Sequence, residues 1–256
     1  MKSNVSYFLH KNKVFFVCLM LAVSSLMPCK SYSNEFNKRS DELFSVNNPA
    51  IAPLNQDDTN SITAEEWYAK GRIEQKYNKY GESIKSFYKV IELNPNWAEA
   101  YFYLGIAYYM CQSRSDSAVK YFNKAIELNP NYTEAYYRLG ITYSEYSAYE
   151  NDSNYIYANK EVECFEKATE LDPNYAEVYC SLGAAHIRSN GDSNRAIDCY
   201  EKAIELNPDN YRGYEGLAFV YSLLCDIEKE IEYLKKAARL GGSDSQNTLK
   251  SKNIKW

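Results

Sequence analysis

Histidine is nearly missing from this chain: 2 residues in 256, beside only 10 glycines and 7 prolines. So few imidazoles leave little material for a zinc centre or for histidine-based nucleophilic catalysis. Sparse glycine and proline, with 45% hydrophobic and 25% charged residues, exclude a collagen and a wholly disordered chain. An excess of basic residues is missing too. The net charge is −5, so the positive footprint of a nucleic-acid binder is absent and no nucleic-acid partner is expected. There is no Walker loop, no GxGxxG after a strand, no GxSxG and no HExxH. No catalytic residue, cofactor or metal site is expected, and the chain reads as a non-enzyme. Seven cysteines contain no CxxC pair; most read as buried helix residues that act as small hydrophobes.

The apolar run Val14–Met27 has 14 residues, short of the roughly 20 that span a bilayer. Lys2, His10, Lys11 and Lys13 precede it, and Ser31 and Ser33 supply small residues for cleavage after Ser33. Residues 1–33 are read as a secretory signal peptide. A lipoprotein acylated at Cys29 is a second reading, though Pro28 directly before the cysteine suits the peptidase badly; a retained anchor is a third. A membrane is a partner only in those last two cases. Removal of residues 1–33 takes four lysines and no acid, leaving 25 basic against 34 acidic residues. The expected location is the periplasm or envelope of a bacterium. Residues 34–61 are rich in Asn, Ser, Asp and Pro without apolar periodicity, and read as a disordered linker. Thr63-Ala64-Glu65-Glu66 then has the pattern of a capping box that opens a helix.

From residue 64 the chain repeats itself. Ile91-Glu-Leu-Asn-Pro-Asn96 returns at 126–131, as Thr169-Glu-Leu-Asp-Pro-Asn174, and as Ile204-Glu-Leu-Asn-Pro-Asp209. The prolines Pro95, Pro130, Pro173 and Pro208 are spaced 35, 43 and 35 apart. Each inner copy opens with an aromatic and Leu-Gly: Tyr101 with Leu104-Gly105, Tyr136 with Leu139-Gly140, Tyr179 with Leu182-Gly183. Tyr101, Leu104, Gly105 and Tyr108 share one helical face, and Ala118, Phe122 and Ala125 form a second. Asn129-Pro130 ends the second helix, because the residue before proline is pushed out of helical geometry. Gly105 and Ala118 let the two helices approach, with Phe122 beside them. Such a hairpin cannot bury its face alone, and stacked neighbours bury it as a superhelical solenoid.

This pattern resembles the tetratricopeptide repeat family. The fold expected is all-α, a right-handed solenoid of about five helical hairpins over residues 62–256. The repeats are 64–97, 98–132, 133–175, 176–210 and 211–244, with a C-terminal cap at 245–256 in which Leu249 packs on repeat five. Ala237-Ala238-Arg239-Leu240-Gly241 also resembles the end of a Sel-type repeat. Repeat three is lengthened around Tyr149–Tyr157, either a tolerated surface insertion or a Tyr-rich contact loop.

The resemblance implies that the first helices line a concave groove for partner peptides. One residue along from the core aromatic runs a second stripe, and the candidate partner-binding residues are taken from it and its neighbours: Tyr68, Arg72, Phe102, Ile106, Tyr109, Tyr137, Arg138, Ile141 and Ile187. The stripe either packs against the neighbouring repeat or is an apolar peptide groove. Glu65, Glu99, Glu134 and Glu177 recur before the core aromatics, either to offset helix dipoles or to form an acidic rim. Some family members clamp a C-terminal carboxylate with groove Asn and Lys. Arg72, Ile106, Ile141 and Ala184 stand where that Asn would recur, and Arg138 and Arg188 read as isolated. The functional expectation is a non-catalytic scaffold or adaptor of the envelope with a protein or peptide partner. The alternatives are a glycan- or other ligand-binding module and an accessory subunit of an export or assembly complex. His186 holds the slot of Tyr108 and Tyr143 and reads as a packed core residue.

Overall fold

The structure, a computed structural model, describes residues 62–111, 116–149 and 156–256. The signal, its cleavage site and the linker lie outside the described residues, as do residues 150–155 of the repeat-three insertion. Among the described residues there are eleven helices and no strand. They are α1 (Ala64–Lys76), α2 (Tyr80–Leu93), α3 (Ala98–Cys111), α4 (Asp116–Leu128), α5 (Thr133–Tyr149), α6 (Ile156–Leu171), α7 (Ala176–Asn190), α8 (Ser193–Leu206), α9 (Tyr211–Leu223), α10 (Ile227–Arg239) and α11 (Ser243–Ser251). No described helix is long and apolar enough to cross a membrane.

Each boundary has a local cause. Thr63 and Glu66 form the reciprocal capping box at the start of α1, at 3.2 and 2.8 Å. Before each of three inter-repeat prolines, an Asn or Asp side chain accepts the backbone N–H two residues on: Asn94 from Asn96, Asn129 from Asn131, Asp172 from Asn174. Each such turn gives a partner to a backbone N–H of the segment between two helices. Gly191, at φ +70°, closes α7 in the left-handed conformation that suits glycine.

The helices pair as hairpins, and every hairpin packs on the next. First helices of successive repeats also touch one another, α1 on α3, α3 on α5, α5 on α7 and α7 on α9. They therefore form the inner layer of the curve, with the second helices outside. Inside each of the first four hairpins one ring sits on one glycine. A Cβ on Gly105 would come 2.7 Å from the Phe122 ring, and one on Gly140 would come 2.6 Å from Phe165. Phe87, Phe122 and Phe165 are fully buried, and Tyr200 takes the same place against Gly183. The outer layer carries Lys89–Glu92, Lys124–Glu127, Lys167–Glu170 and Lys202–Glu205 pairs at 2.7–2.9 Å. These are exposed pairs of small energetic weight. At the far end α11 covers α10, with Leu249 buried against Ala218, Leu234 and Ala238.

Candidate functional site

The inner face is built from α1, α3, α5, α7 and α9. Its most aromatic part lies on the first two repeats. Tyr68 stacks on Trp97 at 4.8 Å and 15°, and meets Phe87 and Tyr103 edge-on at 5.9 and 5.8 Å. The Arg72 guanidinium carbon sits 3.8 Å from the centre of the Tyr103 ring, and Arg72 reaches the Tyr68 hydroxyl at 3.5 Å. Gln75 donates to the Tyr103 carbonyl at 2.7 Å. Burial pushes the Tyr68, Tyr103 and Tyr132 hydroxyls above their ordinary pKa; for Tyr68 and Tyr103 the positive Arg72 pulls part of the way back. These phenols are neutral donors at physiological pH.

The predicted residues divide into two groups. Tyr68, Arg72, Ile106 and Arg138 are half-buried and keep surface. Phe102 (1% exposed), Tyr137 (1%), Tyr109 (7%), Ile141 (8%) and Ile187 (6%) are buried. At these five positions the stripe packs inward, the first of its two readings. Of the stripe read as core, Leu104 and Gly105 are buried, and Tyr101 and Tyr108 are half-buried.

Part of the reason is a set of aromatics that sequence reasoning passed over. Tyr132 tilts onto Phe102 at 4.8 Å, and Tyr175 onto Tyr137 at 5.4 Å, as Trp97 stacks on Tyr68. Each follows the proline turn of its repeat, in Asn-Pro-Asn-Trp97, Asn-Pro-Asn-Tyr132 and Asp-Pro-Asn-Tyr175. That recurrence was the available signal. In repeat four the pattern lapses: the corresponding turn residue is Asn210, whose side chain instead caps α9.

Arg188 is not isolated, because it pairs with the fully buried Glu161 of α6. Arg138 lies 5.9 Å from the centre of the Tyr137 ring. Tyr109 donates to Glu145 at 2.5 Å, a link between the first helices of repeats two and three. Glu65, Glu99, Glu134 and Glu177 all fall in the first turns of α1, α3, α5 and α7, where acids offset the helix dipole. Glu177 also pairs with Arg212 at 3.0 Å. His186 is 4% exposed and its pKa is lowered by burial, which makes it a neutral core residue. The five described cysteines are all free thiols. Cys164 is buried, Cys180 and Cys199 are half-buried, and burial raises all three to about 12. Cys111 and Cys225 are exposed. No described group of His, Cys, Asp and Glu is arranged to hold a metal ion.

Comparison with solved structures places the arrangement among known solenoids. A crystal structure of MamA matches at TM-score 0.58 and 24% identity, over 69% of this chain and 96% of that one. MamA 41-end from Desulfovibrio magneticus RS-1 matches at 0.61 and 21%, over 69% and 94%. YrrB, described as a TPR protein with an unusual peptide-binding site, matches at 0.59 and 19%, over 75% and 92%. At these identities the likeness is one of fold. A comparison with curated proteins returned no match. Family models for the TPR repeat match residues 68–111 and 187–224, and tetratricopeptide repeat models match 98–132, 121–158 and 164–198. Repeats of this kind are typically non-catalytic modules for protein interaction. The hairpins, their glycine–ring contacts and these matches over most of residues 68–224 lead to one statement: the chain belongs to the tetratricopeptide repeat family.

Proposed function

We propose that this protein is a non-catalytic scaffold that holds a peptide or protein segment on the face formed by its first helices. The observation that carries the reading is the cluster in which half-buried Tyr68 and Arg72 pack on the Tyr103 ring and Trp97 stacks on Tyr68. Large, stiff aromatics with an arginine among them are the residue types that dominate protein recognition, because they bury much area with little loss of conformational freedom. Ile106 and Arg138 continue the surface into the next repeats. The buried Phe102, Tyr109, Tyr137, Ile141 and Ile187 form its wall and floor. The peptide-binding site described for YrrB is consistent with a ligand on such a fold. Residues 1–33 direct the chain to the bacterial envelope in this reading. The exported protein then begins at Asn34 or carries lipid on Cys29, and its intact mass distinguishes the two.

The test uses the full chain as bait in extract from its own cells, with quantitative mass spectrometry. Arg72→Glu and Tyr68→Ala are expected to lose the stoichiometric partner, whereas Lys89→Ala on the outer layer keeps it. Retention of that partner by both inner-face variants overturns the groove reading.

A further inference from the structure

Successive repeats contain one slot in common, bounded by the second helix of one repeat and both helices of the next. At the first junction Tyr121 of α4 fills it. Its ring lies between Tyr101, at 6.5 Å and 29°, and Tyr108, at 5.4 Å and 23°. Its hydroxyl meets that of Tyr88 on α2 at 2.6 Å, and Tyr88 also reaches the Tyr108 hydroxyl at 3.0 Å.

One repeat later the walls persist, with Tyr157 stacked on Tyr143 at 6.2 Å and 29°, and the Tyr121 filling is gone. In register, Tyr101 and Tyr108 become Tyr136 and Tyr143, Tyr88 becomes Asn123, and Tyr121 becomes Cys164. An amide and a thiol stand where two phenol rings stood. A cleft of about 280 Å³ opens there, with Tyr136, Tyr143, Leu139 and Cys164 inside and Asn123 and Lys160 among its polar residues. At the third junction the counterparts of Asn123 and Lys160 are Glu166 and Arg195, which pair with each other at 3.9 Å. At the last junction Tyr233 takes the place of Tyr121 and stacks on Tyr221, the counterpart of Tyr108, at 5.5 Å and 7°.

We propose that the cleft between repeats two and three binds a single phenolic ring, in the place that Tyr121 occupies one repeat earlier. The guest ring stacks between Tyr136 and Tyr143, over the Cys164 thiol. Its hydroxyl reaches the Asn123 amide, as the Tyr121 hydroxyl reaches Tyr88. Offset stacking of the guest on two tyrosines supplies attraction beyond area burial. Asn123, Lys160 and Glu163 are exposed and give the mouth a wet, polar rim. The chemistry recognised is a phenol, presented as a tyrosine side chain by a partner or as a free small molecule. The site lies away from the inner face and does not rest on the groove reading.

The test is an NMR titration of the isotope-labelled full chain with p-cresol, with toluene, and with the peptide acetyl-Ala-Ala-Tyr-Ala-Ala-amide. Saturable shifts at Leu139, Tyr143 and Cys164 are expected with p-cresol, in the millimolar range that one ring supports. The variant Asn123→Tyr/Cys164→Tyr rebuilds the tyrosine pair of the first junction and is expected to abolish those shifts. Asn123→Ala, at an exposed position, is expected to weaken p-cresol about fivefold through the lost hydrogen bond and to leave toluene unchanged. Shifts with the peptide as well identify a partner's tyrosine as the guest; shifts with p-cresol alone identify a free phenol. The proposal is overturned if p-cresol gives no saturable shift, or if Asn123→Ala leaves its affinity equal to that of the wild type.

Discussion

Arg188 of α7 holds the carboxylate of Glu161 on α6 with two guanidinium nitrogens, Nε at 3.2 Å and Nη2 closer. The Glu161 side chain is fully buried and Arg188 is nearly so. The pair joins repeat three to repeat four through charge-assisted bonds, alongside the apolar contacts of the same junction. Removal of Glu161 breaks this buried charge-assisted pair, at a cost of about 3 kcal/mol. Glu161→Ala is therefore expected to lower the urea midpoint followed by circular dichroism. The double exchange Glu161→Leu/Arg188→Met is expected to lie above that single variant, because apolar replacement of a whole buried pair is often neutral. A single variant that unfolds with the wild type would show that the pair contributes nothing to the junction.

The contact of Gly140 with Phe165 is a second point at which the solenoid has no slack. A methyl group on Gly140 would lie 2.6 Å from a ring that is itself 0% exposed. Alanine gains about 1 kcal/mol of helix propensity over glycine, but overpacking costs 1–3 kcal/mol or more. Gly140→Ala is expected to destabilise on balance. Gly140→Ala/Phe165→Leu, with a smaller side chain opposite, is expected to recover part of the loss. Differential scanning calorimetry of the two variants decides the matter.

The parts of this fold that were plain in the sequence are those fixed by one residue acting on its own backbone or its nearest partner. Pro95, Pro130 and Pro173 stop helices wherever they stand, and Leu-Gly marks the close approach of α3, α5 and α7 to their ring-bearing partners. The inner face was harder. Phe102 and Tyr101 are neighbours about 100° apart on one helix, so periodicity alone does not say which is the deeper. That depends partly on Tyr132, which arrives from the next turn. The Glu161–Arg188 pair spans 27 residues and occurs at one junction, so no repeat pattern announces it. The phenol cleft is visible only when Tyr121 and Cys164 are compared in register.

The described thiols sort into two classes. Cys164, Cys180 and Cys199 have pKa values pushed up to about 12, first by burial and then by neighbouring acids or thiols. At pH 8 almost none of each is thiolate, the reactive form. Cys111 and Cys225 sit exposed at hairpin turns. Brief treatment with a maleimide, followed by peptide mapping, is expected to label Cys111 and Cys225 and to spare the other three until denaturant is added. Early labelling of Cys164 alone would mean that the reagent reaches this thiol through the cleft between repeats two and three.

His186 makes stability depend on pH. It is buried in α7, and desolvation lowers its pKa, with Arg195 acting in the same direction and Glu166 and Asp192 opposing. The folded state therefore resists protonation at a pH where the unfolded chain, with an ordinary histidine pKa near 6.5, already takes up a proton. A depressed folded pKa gives stability that is complete above about pH 6.5 and is lost as pH falls toward the folded value. The loss from this residue is at most about 1.4 kcal/mol per pH unit. The register offers a neutral replacement, since Tyr108, Tyr143 and Tyr221 occupy the same slot in repeats two, three and five. His186→Tyr is expected to flatten the fall in urea midpoint between pH 7 and pH 5.5. If the variant and the wild type fall in parallel across that window, His186 is not the group that titrates.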